Sequence, residues 1–279
     1  MRIDWKALAE KIYEDLKNKI DKLEKKPKLA AILLWNNPAS LSYIWQKKKY
    51  AHLVWADFEL IHLAENTTQA ELENEIIRLN IDKNISWFIV QLPLPKHIDE
   101  QKIIGLIDPK KDVDWFTKEN VGKLFYSDHS WLESCTPKWI KRIFDEYCYI
   151  LKWKNVTIIW KSNIVWKPLS LLFINNAATV TVCDIHTPNL KDHTLNSDYI
   201  VCAAWVPKLL TSDMVRPWSV IIDVWINKVD WKIVWDCDYE NLEKDNFITP
   251  VPWWVWPMTV AMLIENTYIA HMNNSKWKE

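Results

Sequence analysis

Two side chains in the stretch "NNPASLSYIWQKKKYA" have types and a spacing that could do chemistry. Tyr43 and Lys47 are four residues apart, so on a helix they lie on the same face. A lysine can give and take protons in a reaction, and a tyrosine ring can pack flat against a ligand. A run of lysines such as 47–49 is more often a solvated helix face. The residues alone therefore leave Lys47 open between a catalytic role and a surface role.

The composition limits the kinds of protein that this chain could be. It has 279 residues, a formal net charge of −1 and 25% charged residues, so it lacks the basic field typical of nucleic-acid binding. No secretory signal is visible, and no apolar run approaches the ~20 residues of a membrane span. Five scattered cysteines without CxxC spacing favour a reducing compartment. We expect a cytoplasmic protein without nucleic-acid or membrane partners, and no metal, because the histidines form no ligand pattern.

The counts of tryptophan and glycine do not fit an ordinary chain. There are 20 Trp and only 2 Gly, whereas glycine usually makes up about 7% of residues, or roughly 20 here. The tryptophans stand at turns and strand ends, such as Trp35 before Asn-Asn-Pro and Trp231 after aspartate in "VDWKIVW". Those positions usually need the positive φ or close backbone approach that glycine allows. We expect most Trp letters to stand for glycine, as a stop codon read as glycine would produce; the literal alternative is an aromatic-rich core or binding surface.

The first half of the chain alternates apolar strands with amphipathic helices. Strands are predicted at "KLAAILL", "DFELIHL" and "SWFIVQLPLP". Helices are predicted over residues 6–26, over residues 40–53 and in "TTQAELENEIIRLN", where a threonine caps the start. This β-α-β-α-β order indicates a parallel sheet covered by helices.

A second series of strands and helices follows. The segment "SCTPKWIKRIFDEYCYI" predicts a helix capped by Thr136 with Pro137 in its first turn. Strands then alternate with helices from "KNVTIIW" to "SVIIDV", which is typical of a Rossmann-type unit. We predict an α/β fold with two lobes. The first comprises residues 1–134 with the C-terminal helix 258–279, and the second is a dinucleotide-binding lobe over residues 135–257.

Seven sequence blocks carry a resemblance to a known family once Trp is read as Gly. They are "NNPASLSYIWQKKKYA", "VQLPLP", "DPKKDVDWF", "CTPKWI", "IIWKSNIVWKPLS", "IIDVWIN" and "TPVPWWVWPMTVAMLIENT". In this order and spacing the chain resembles the bifunctional methylenetetrahydrofolate dehydrogenase/cyclohydrolase family over nearly its whole length. The resemblance implies a homodimer with folate between the two lobes. It also implies oxidation of 5,10-methylenetetrahydrofolate with NADP, followed by hydrolysis of the methenyl product to 10-formyltetrahydrofolate.

The resemblance assigns catalytic and substrate-binding roles to particular residues. Lys47 matches the catalytic lysine, Gln91 the glutamine that orients it, Tyr43 a ring that stacks on the folate, and Asp114 the carboxylate that binds the pterin. Asp112 keeps the plainer role of capping its own turn. The loop that lines the folate pocket contains three further expected residues, Pro252, Trp253 and Trp254.

The resemblance also places the cofactor. The stretch "WKSNIVWKP" follows a strand and precedes a helix, and with glycine for tryptophan it matches a pyrophosphate-binding turn. Lys161 and Ser162 match the pair that contacts the 2′-phosphate, which favours NADP. Asp184 is a departure from the family, because an acidic residue roughly 20 positions after the turn usually binds the ribose of NAD. The other residues expected at the cofactor are Trp160, Ile164, Trp166 and Ile226.

Two alternatives to a bifunctional enzyme follow from the sequence. If the Trp letters are literal, Trp160 and Trp166 would fill the phosphate site, and the chain would be an inactive homologue acting, if at all, as an aromatic-rich binding protein. A one-step enzyme that retains a single activity is the second alternative.

Overall fold

The chain folds into two compact units. The computed structural model describes residues 3–35, 37–128, 132–159, 166–224, 226–229, 232–250 and 256–276. Contacts group Glu10–Cys135 with Val260–Glu279, which we call the three-stranded unit. They group Met1–Ala9 with Thr136–Thr259, which we call the five-stranded unit.

The three-stranded unit is built on a parallel sheet. In chain order, the elements of this half are α1 (Trp5–Asp21), β1 (Lys28–Leu34), α2 (Pro38–Leu53), β2 (Asp57–Leu63), α3 (Gln69–Ile81), β3 (Trp87–Val90), α4 (Glu100–Leu106) and α5 (Lys118–Phe125). The strand order is β2-β1-β3, and both pairings are parallel. The central strand β1 is apolar after Lys28 and buried along its length, as expected for a parallel strand covered on both faces.

The five-stranded unit contains the second sheet. Its elements are α6 (Cys135–Glu146), β4 (Asn155–Ile159), α7 (Trp166–Asn175), β5 (Thr179–Cys183), α8 (Leu190–Leu195), β6 (Tyr199–Cys202), a 3₁₀ turn (Ser212–Met214), β7 (Val220–Asp223), β8 (Ile226–Val229), β9 (Lys232–Trp235), α9 (Tyr239–Leu242) and β10 (Phe247–Ile248). The sheet order is β10-β7-β6-β4-β5, all parallel, and β8 and β9 form a separate antiparallel pair. The last helix, α10 (Trp256–Lys276), runs into the residues grouped with the three-stranded unit.

The expected α/β class, with two parallel sheets and a returning C-terminal helix, is confirmed. The predicted threonine cap of α3 is also confirmed. The Glu71 backbone N–H donates to Thr68 Oγ1 at 3.3 Å, while the Thr68 N–H donates to the Glu71 carboxylate at 2.7 Å. This reciprocal pair is a capping box, which stabilises a helix start by satisfying two exposed N–H groups.

Three boundaries differ from the sequence prediction. Helix α1 ends at Asp21 rather than at residue 26, because the Lys26 ammonium donates to the carbonyls of Ile20 and Asp21 at 2.9 and 2.8 Å and closes the helix. Strand β3 ends at Val90, since the prolines that follow cannot donate to a ladder. Helix α6 begins at Cys135, so Thr136 lies within its first turn and is not the cap.

Several short elements were not predicted from the sequence. Helices α4 and α5 and strand β10 are each eight residues or shorter, too short for a clear hydrophobic period. The hairpin expected around "VDWKIVW" is present as β8 and β9, whose paired ends are Val229 and Lys232. The two connecting residues lie outside the described residues.

Tryptophan occupies an unusual share of the strained backbone positions. In the part of the chain that the structure describes, eleven non-glycine residues have positive φ, and six of them are tryptophans: Trp35, Trp55, Trp115, Trp153, Trp205 and Trp218. Among the described residues, seven buried side-chain nitrogen or oxygen atoms lack a hydrogen-bond partner. Four of these are the indole nitrogens of Trp5, Trp139, Trp166 and Trp235. Only a few per cent of non-glycine residues normally adopt positive φ, and buried indole N–H groups normally find an acceptor.

In the part of the chain that the structure describes, none of the helices is long and apolar enough to cross a membrane. Within the same residues, no group of three or more His, Cys, Asp or Glu side chains is arranged to hold a metal ion.

Candidate active site

Lys47 and Gln91 form a buried contact at the centre of the candidate site. Lys47 lies on α2, Gln91 follows directly after β3, and each side chain is only 8% exposed. The Lys47 ammonium donates to Gln91 Oε1 at 3.0 Å. The structure therefore excludes the solvated-face interpretation for Lys47, whereas Lys49 on the same helix is exposed.

Backbone and side-chain hydrogen bonds hold Gln91 in place. Its N–H donates to the Ile32 carbonyl of β1 at 2.9 Å, and its Nε2 donates to the Leu92 carbonyl at 2.8 Å. With the amide nitrogen engaged, Oε1 is turned toward Lys47. Gln91 can thus fix the position of the Lys47 ammonium without adding a charge.

Tyr43 lies one turn before Lys47 on α2 and is half-buried. Burial raises the pKa of its hydroxyl above the ordinary value of 10, so the side chain is neutral near neutral pH. A half-buried neutral ring one turn from a buried lysine is suited to packing against an aromatic ligand.

Asp114 lies on a loop that is fixed by its neighbour Asp112. The Asp112 carboxylate accepts the N–H groups of Trp115 at 2.8 Å and Thr117 at 2.9 Å, and the amide of Asn120 at 3.2 Å. The turn-capping role expected of Asp112 is confirmed by these contacts. Burial is the largest effect on Asp112 and raises its pKa, against the donors that lower it.

The same loop is tied to β3 and to the C-terminal helix. Asp112 forms a parallel bridge with Phe88, three residues before Gln91. The fully buried Asn266 of α10 donates to the Val113 carbonyl at 3.1 Å and to the Glu133 carbonyl at 2.8 Å. The sequence did not single out Asn266; a polar residue within the apolar run "TVAMLIENTYIA" was the available signal.

The five-stranded sheet has the strand order of a dinucleotide-binding fold. Strand β4 lies between β5 on one side and β6 on the other, so the two strands that follow β4 in the chain lie on opposite sides of it. Ligands of such sheets bind outside the carboxyl ends of the strands, where the order reverses. The crevice is therefore expected next to the residues that follow β4 and β6.

Most residues expected at the cofactor turn and the folate loop lie outside the described part of the chain. These are Trp160, Lys161, Ser162, Ile164, Pro252, Trp253 and Trp254. Trp166 is the first residue of α7. Ile226 begins β8, and its side chain also lies outside the described residues.

Asp184 directly follows β5, the strand after β4 in the chain. Its Oδ1 accepts the His186 N–H at 2.9 Å and lies 3.4 Å from the Thr187 hydroxyl. The carboxylate is thus engaged in its own turn. An acidic residue at this strand end is where Rossmann folds hold the adenosine ribose, so the residues present fit a dinucleotide.

Two buried carboxyls near the same crevice were missed by the sequence analysis. Asp236 accepts four N–H groups, and Asp223 at the end of β7 accepts the Cys237 N–H at 2.8 Å. Burial, and then the charge of Asp236, raises the pKa of Asp223 well above 3.8. The available signal was a pair of aspartates inside the apolar stretches "SVIIDV" and "KIVWDCD".

Comparisons with known proteins match both units. The catalytic-domain model of tetrahydrofolate dehydrogenase/cyclohydrolase matches residues 3–114, and the NAD(P)-binding-domain model of the same enzyme matches residues 134–275. The chain is 46% identical to the bifunctional protein FolD of Sulfurihydrogenibium sp. over 271 residues, 95% of each chain. It is 44% identical to the bifunctional protein FolD of Helicobacter pylori strain J99, covering 96% of this chain and 94% of that protein.

Solved structures of proteins from the same family are also similar to this chain. The bifunctional FolD methylenetetrahydrofolate dehydrogenase/cyclohydrolase of Campylobacter jejuni superposes with a TM-score of 0.96 at 41% identity, covering 98% of this chain and 99% of that one. The Trypanosoma brucei enzyme, solved with NADP and an inhibitor, gives a TM-score of 0.94 at 30% identity, covering 99% and 98%. Because both domain models and near-full-length relatives match, the chain belongs to the tetrahydrofolate dehydrogenase/cyclohydrolase family.

Proposed function

We propose that this chain catalyses two consecutive reactions of folate one-carbon metabolism. It oxidises 5,10-methylenetetrahydrofolate to the methenyl form with NADP and hydrolyses that product to 10-formyltetrahydrofolate. The observation that carries this proposal is the buried Lys47–Gln91 contact. It lies in the region that matches the family's catalytic domain, in one chain with the NAD(P)-binding domain.

The residues of the three-stranded unit have distinct tasks in this proposal. Lys47 Nζ, held by Gln91 Oε1, exchanges a proton with the water that adds to the methenyl carbon. Tyr43 packs against the folate, and Asp114 accepts hydrogen bonds from the pterin N–H groups. Pro252, Trp253 and Trp254 belong to the loop that lines the folate pocket.

NADP is the proposed cofactor of the five-stranded unit. When bound, it supplies the hydride acceptor for the first reaction. Trp160, Lys161, Ser162, Ile164, Trp166 and Ile226 are the residues proposed to surround it. Support comes from the family's NAD(P)-binding domain and from the relative at 30% identity solved with NADP. The Asp184 carboxylate is the feature that favours NAD, because its negative charge would repel a 2′-phosphate.

Replacement of Lys47 tests the enzymatic proposal. We expect Lys47→Ala to lower cyclohydrolase activity by about 10²–10⁴-fold, since the proton-transfer group is lost. Lys49→Ala, a change of an exposed lysine on the same helix, should leave both activities intact. Both rates are measured spectrophotometrically, with methylenetetrahydrofolate plus NADP and with methenyltetrahydrofolate alone. The proposal fails if Lys47→Ala leaves both activities unchanged, and a wild-type protein with one activity would instead indicate a one-step enzyme.

We further propose that most tryptophan positions carry glycine in the native protein. Support comes from the six tryptophans at positive φ and the four buried indole nitrogens without a partner among the described residues. Each positive φ costs a bulky residue about 1–2 kcal/mol, and each unpaired buried N–H about 1–3 kcal/mol. Glycine has neither cost. Peptide mass spectrometry of protein from its own host, over residues 249–259, decides between glycine and tryptophan masses.

The assembly and location of the protein are the subject of a separate proposal. We propose a homodimer because the family resemblance implies one, and light scattering of the purified protein would test it. None of the five cysteines, all of which lie in the described residues, forms a disulfide, which agrees with a reducing cytoplasm. We assign folate binding to the lobe of residues 1–134 with 258–279, and cofactor binding to residues 135–257.

A further inference from the structure

The Asp236 carboxylate accepts four hydrogen bonds while it is fully buried. Its Oδ2 accepts the backbone N–H groups of Ala204 at 2.5 Å and Trp205 at 3.0 Å. Its Oδ1 accepts the Val206 N–H at 2.9 Å and the Asn227 amide at 2.8 Å. Every donor is an N–H group, so the site requires an acceptor-only side chain on both oxygens.

The three backbone donors form one turn at the carboxyl edge of the five-stranded sheet. Residues 204–206 follow β6, and Trp205 in the middle of the turn has φ of 59°. The preceding Ala203 N–H donates to the Ile159 carbonyl at the end of β4 at 3.1 Å. The turn is therefore next to the point where the strand order reverses, which is where a dinucleotide binds in such sheets.

The fourth donor connects this turn to a second segment at the same edge. Asn227 belongs to β8, which begins three residues after β7 ends. Asp236 thus joins the segment after β6 to the segment after β7. Because β6 and β7 are neighbouring parallel strands, both segments leave the sheet at the same edge. Without the carboxylate, three adjacent backbone N–H groups would lose their acceptor.

We propose that Asp236 is a positioning residue for the nicotinamide dinucleotide, acting through the backbone of residues 204–206. It holds this turn and Asn227 in the geometry that cofactor binding needs, and it does not touch the reacting atoms. The proposal rests on the proposed NADP dependence of the enzyme. It adds a residue outside the phosphate-binding turn on which affinity for the cofactor depends.

Measuring both proposed activities distinguishes a positioning role of Asp236 at the cofactor from a role in overall stability. Hydride transfer requires the dinucleotide, whereas hydrolysis of methenyltetrahydrofolate transfers no hydride and is assayed without NADP. Asp236→Asn would place an amide NH₂ against N–H donors and disturb the turn. We expect the Kd for NADP, measured by isothermal titration calorimetry, and the KM for NADP each to rise about tenfold or more. Cyclohydrolase activity should stay within about twofold of the wild type.

Asp198→Asn is the matched control. Asp198 is also a carboxylate that accepts a backbone N–H, from Asn155 at 2.9 Å, but Asn155 begins β4, so this contact lies at the opposite, amino edge of the sheet. Loss of this contact should lower the unfolding temperature and leave the Kd for NADP unchanged. An Asp198→Asn protein with the same loss of NADP affinity would show that any weakening of the sheet is sufficient and would overturn the proposal.

Hydrogen exchange provides a readout that does not depend on activity. In Asp236→Asn the amides of residues 204–206 should exchange faster while those of β4 keep their protection. If Asp236→Asn does not fold, Asn227→Ala removes a single donor, and the Kd for NADP should still rise measurably. An unchanged Kd in the folded variants, or equal loss of both activities, contradicts the proposal. A wild-type protein that does not bind NADP would instead contradict the proposed function.

Discussion

At the scale of the residue, Asp223 and Asp236 are two neighbouring buried acids whose carboxylates accept different numbers of hydrogen bonds. Burial raises the pKa of Asp236, and the N–H donors on both of its oxygens act in the opposite direction. Asp223 accepts one N–H on Oδ2, while its buried Oδ1 has no hydrogen-bond partner. Burial, followed by the charge of Asp236, raises the pKa of Asp223 well above 3.8. A proton bound by the pair is therefore held more tightly by Asp223 than by Asp236.

This arrangement predicts a pH dependence of stability. The raised pKa of Asp223 contributes stability that is fully present below its unfolded pKa and is lost as the pH rises through its folded pKa. Asp223→Asn imitates the protonated acid and does not titrate. The wild type should therefore lose stability relative to Asp223→Asn as pH rises above about 4, by up to about 1.4 kcal/mol per pH unit. Urea denaturation of both proteins from pH 4.5 to 8 measures the difference, and a constant difference would contradict it.

At the scale of the element, the loop from Asp112 to Thr117 is an example of a helix start stabilised from a distance. Thr117 is the N-cap residue of α5, but its side chain makes no capping hydrogen bond. Asp112, five residues earlier, accepts the N–H of Thr117 itself and also the Trp115 N–H. The same carboxylate thus holds the residue before the first turn of α5 and fixes the backbone on both sides of Asp114.

Replacement of Asp112 should therefore affect both stability and folate binding. Asp112→Ala leaves two backbone donors without their acceptor and removes one of the two acceptors of the Asn120 amide, which should cost on the order of 3 kcal/mol. Because Asp114 lies in the released loop, the KM for methylenetetrahydrofolate should rise while the Kd for NADP stays constant. Urea denaturation and steady-state kinetics measure these two effects. In an Asp114→Ala background the effect on KM should largely disappear, since Asp112 acts through Asp114.

The control for this prediction is the cap of a different helix. Asp99 caps α4 by accepting the Lys102 N–H at 3.1 Å, in an exposed position. Asp99→Ala should cost about 1 kcal/mol and leave the KM for folate unchanged. An equal rise in KM for both variants would mean that general destabilisation, and not the position of Asp114, is responsible.

At the scale of the whole molecule, local pattern was sufficient to predict the order of strands and helices but not the contacts between distant residues. The run "KLAAILL" and the Thr68–Glu71 box carry their own signals, and both elements are present as expected. The end of α1 depends on a lysine side chain that folds back onto the helix carbonyls, which no periodicity records. The backbone donors to Asp236 lie about 30 residues before it in the chain, and the acceptors of Asn266 lie more than 130 residues before it. Sequence spacing could therefore not pair either residue with its partners.

At the scale of the whole molecule, the excess of tryptophan lowers stability. Two single substitutions distinguish backbone strain from exposed indole rings as the cause. In a chain synthesised with tryptophan at all 20 positions, the six positive-φ tryptophans among the described residues together cost about 6–12 kcal/mol, comparable to the whole stability of a domain. Trp153 has φ of 63° and is 82% exposed, so Trp153→Gly should stabilise that chain by about 1–2 kcal/mol. Trp45 is also exposed but lies within α2, where Trp45→Gly should destabilise by about 0.5 kcal/mol. If urea denaturation shows that the two substitutions change the free energy of unfolding in opposite directions, the cause is backbone conformation. If both substitutions stabilise the chain, the cause is the exposed indole rings.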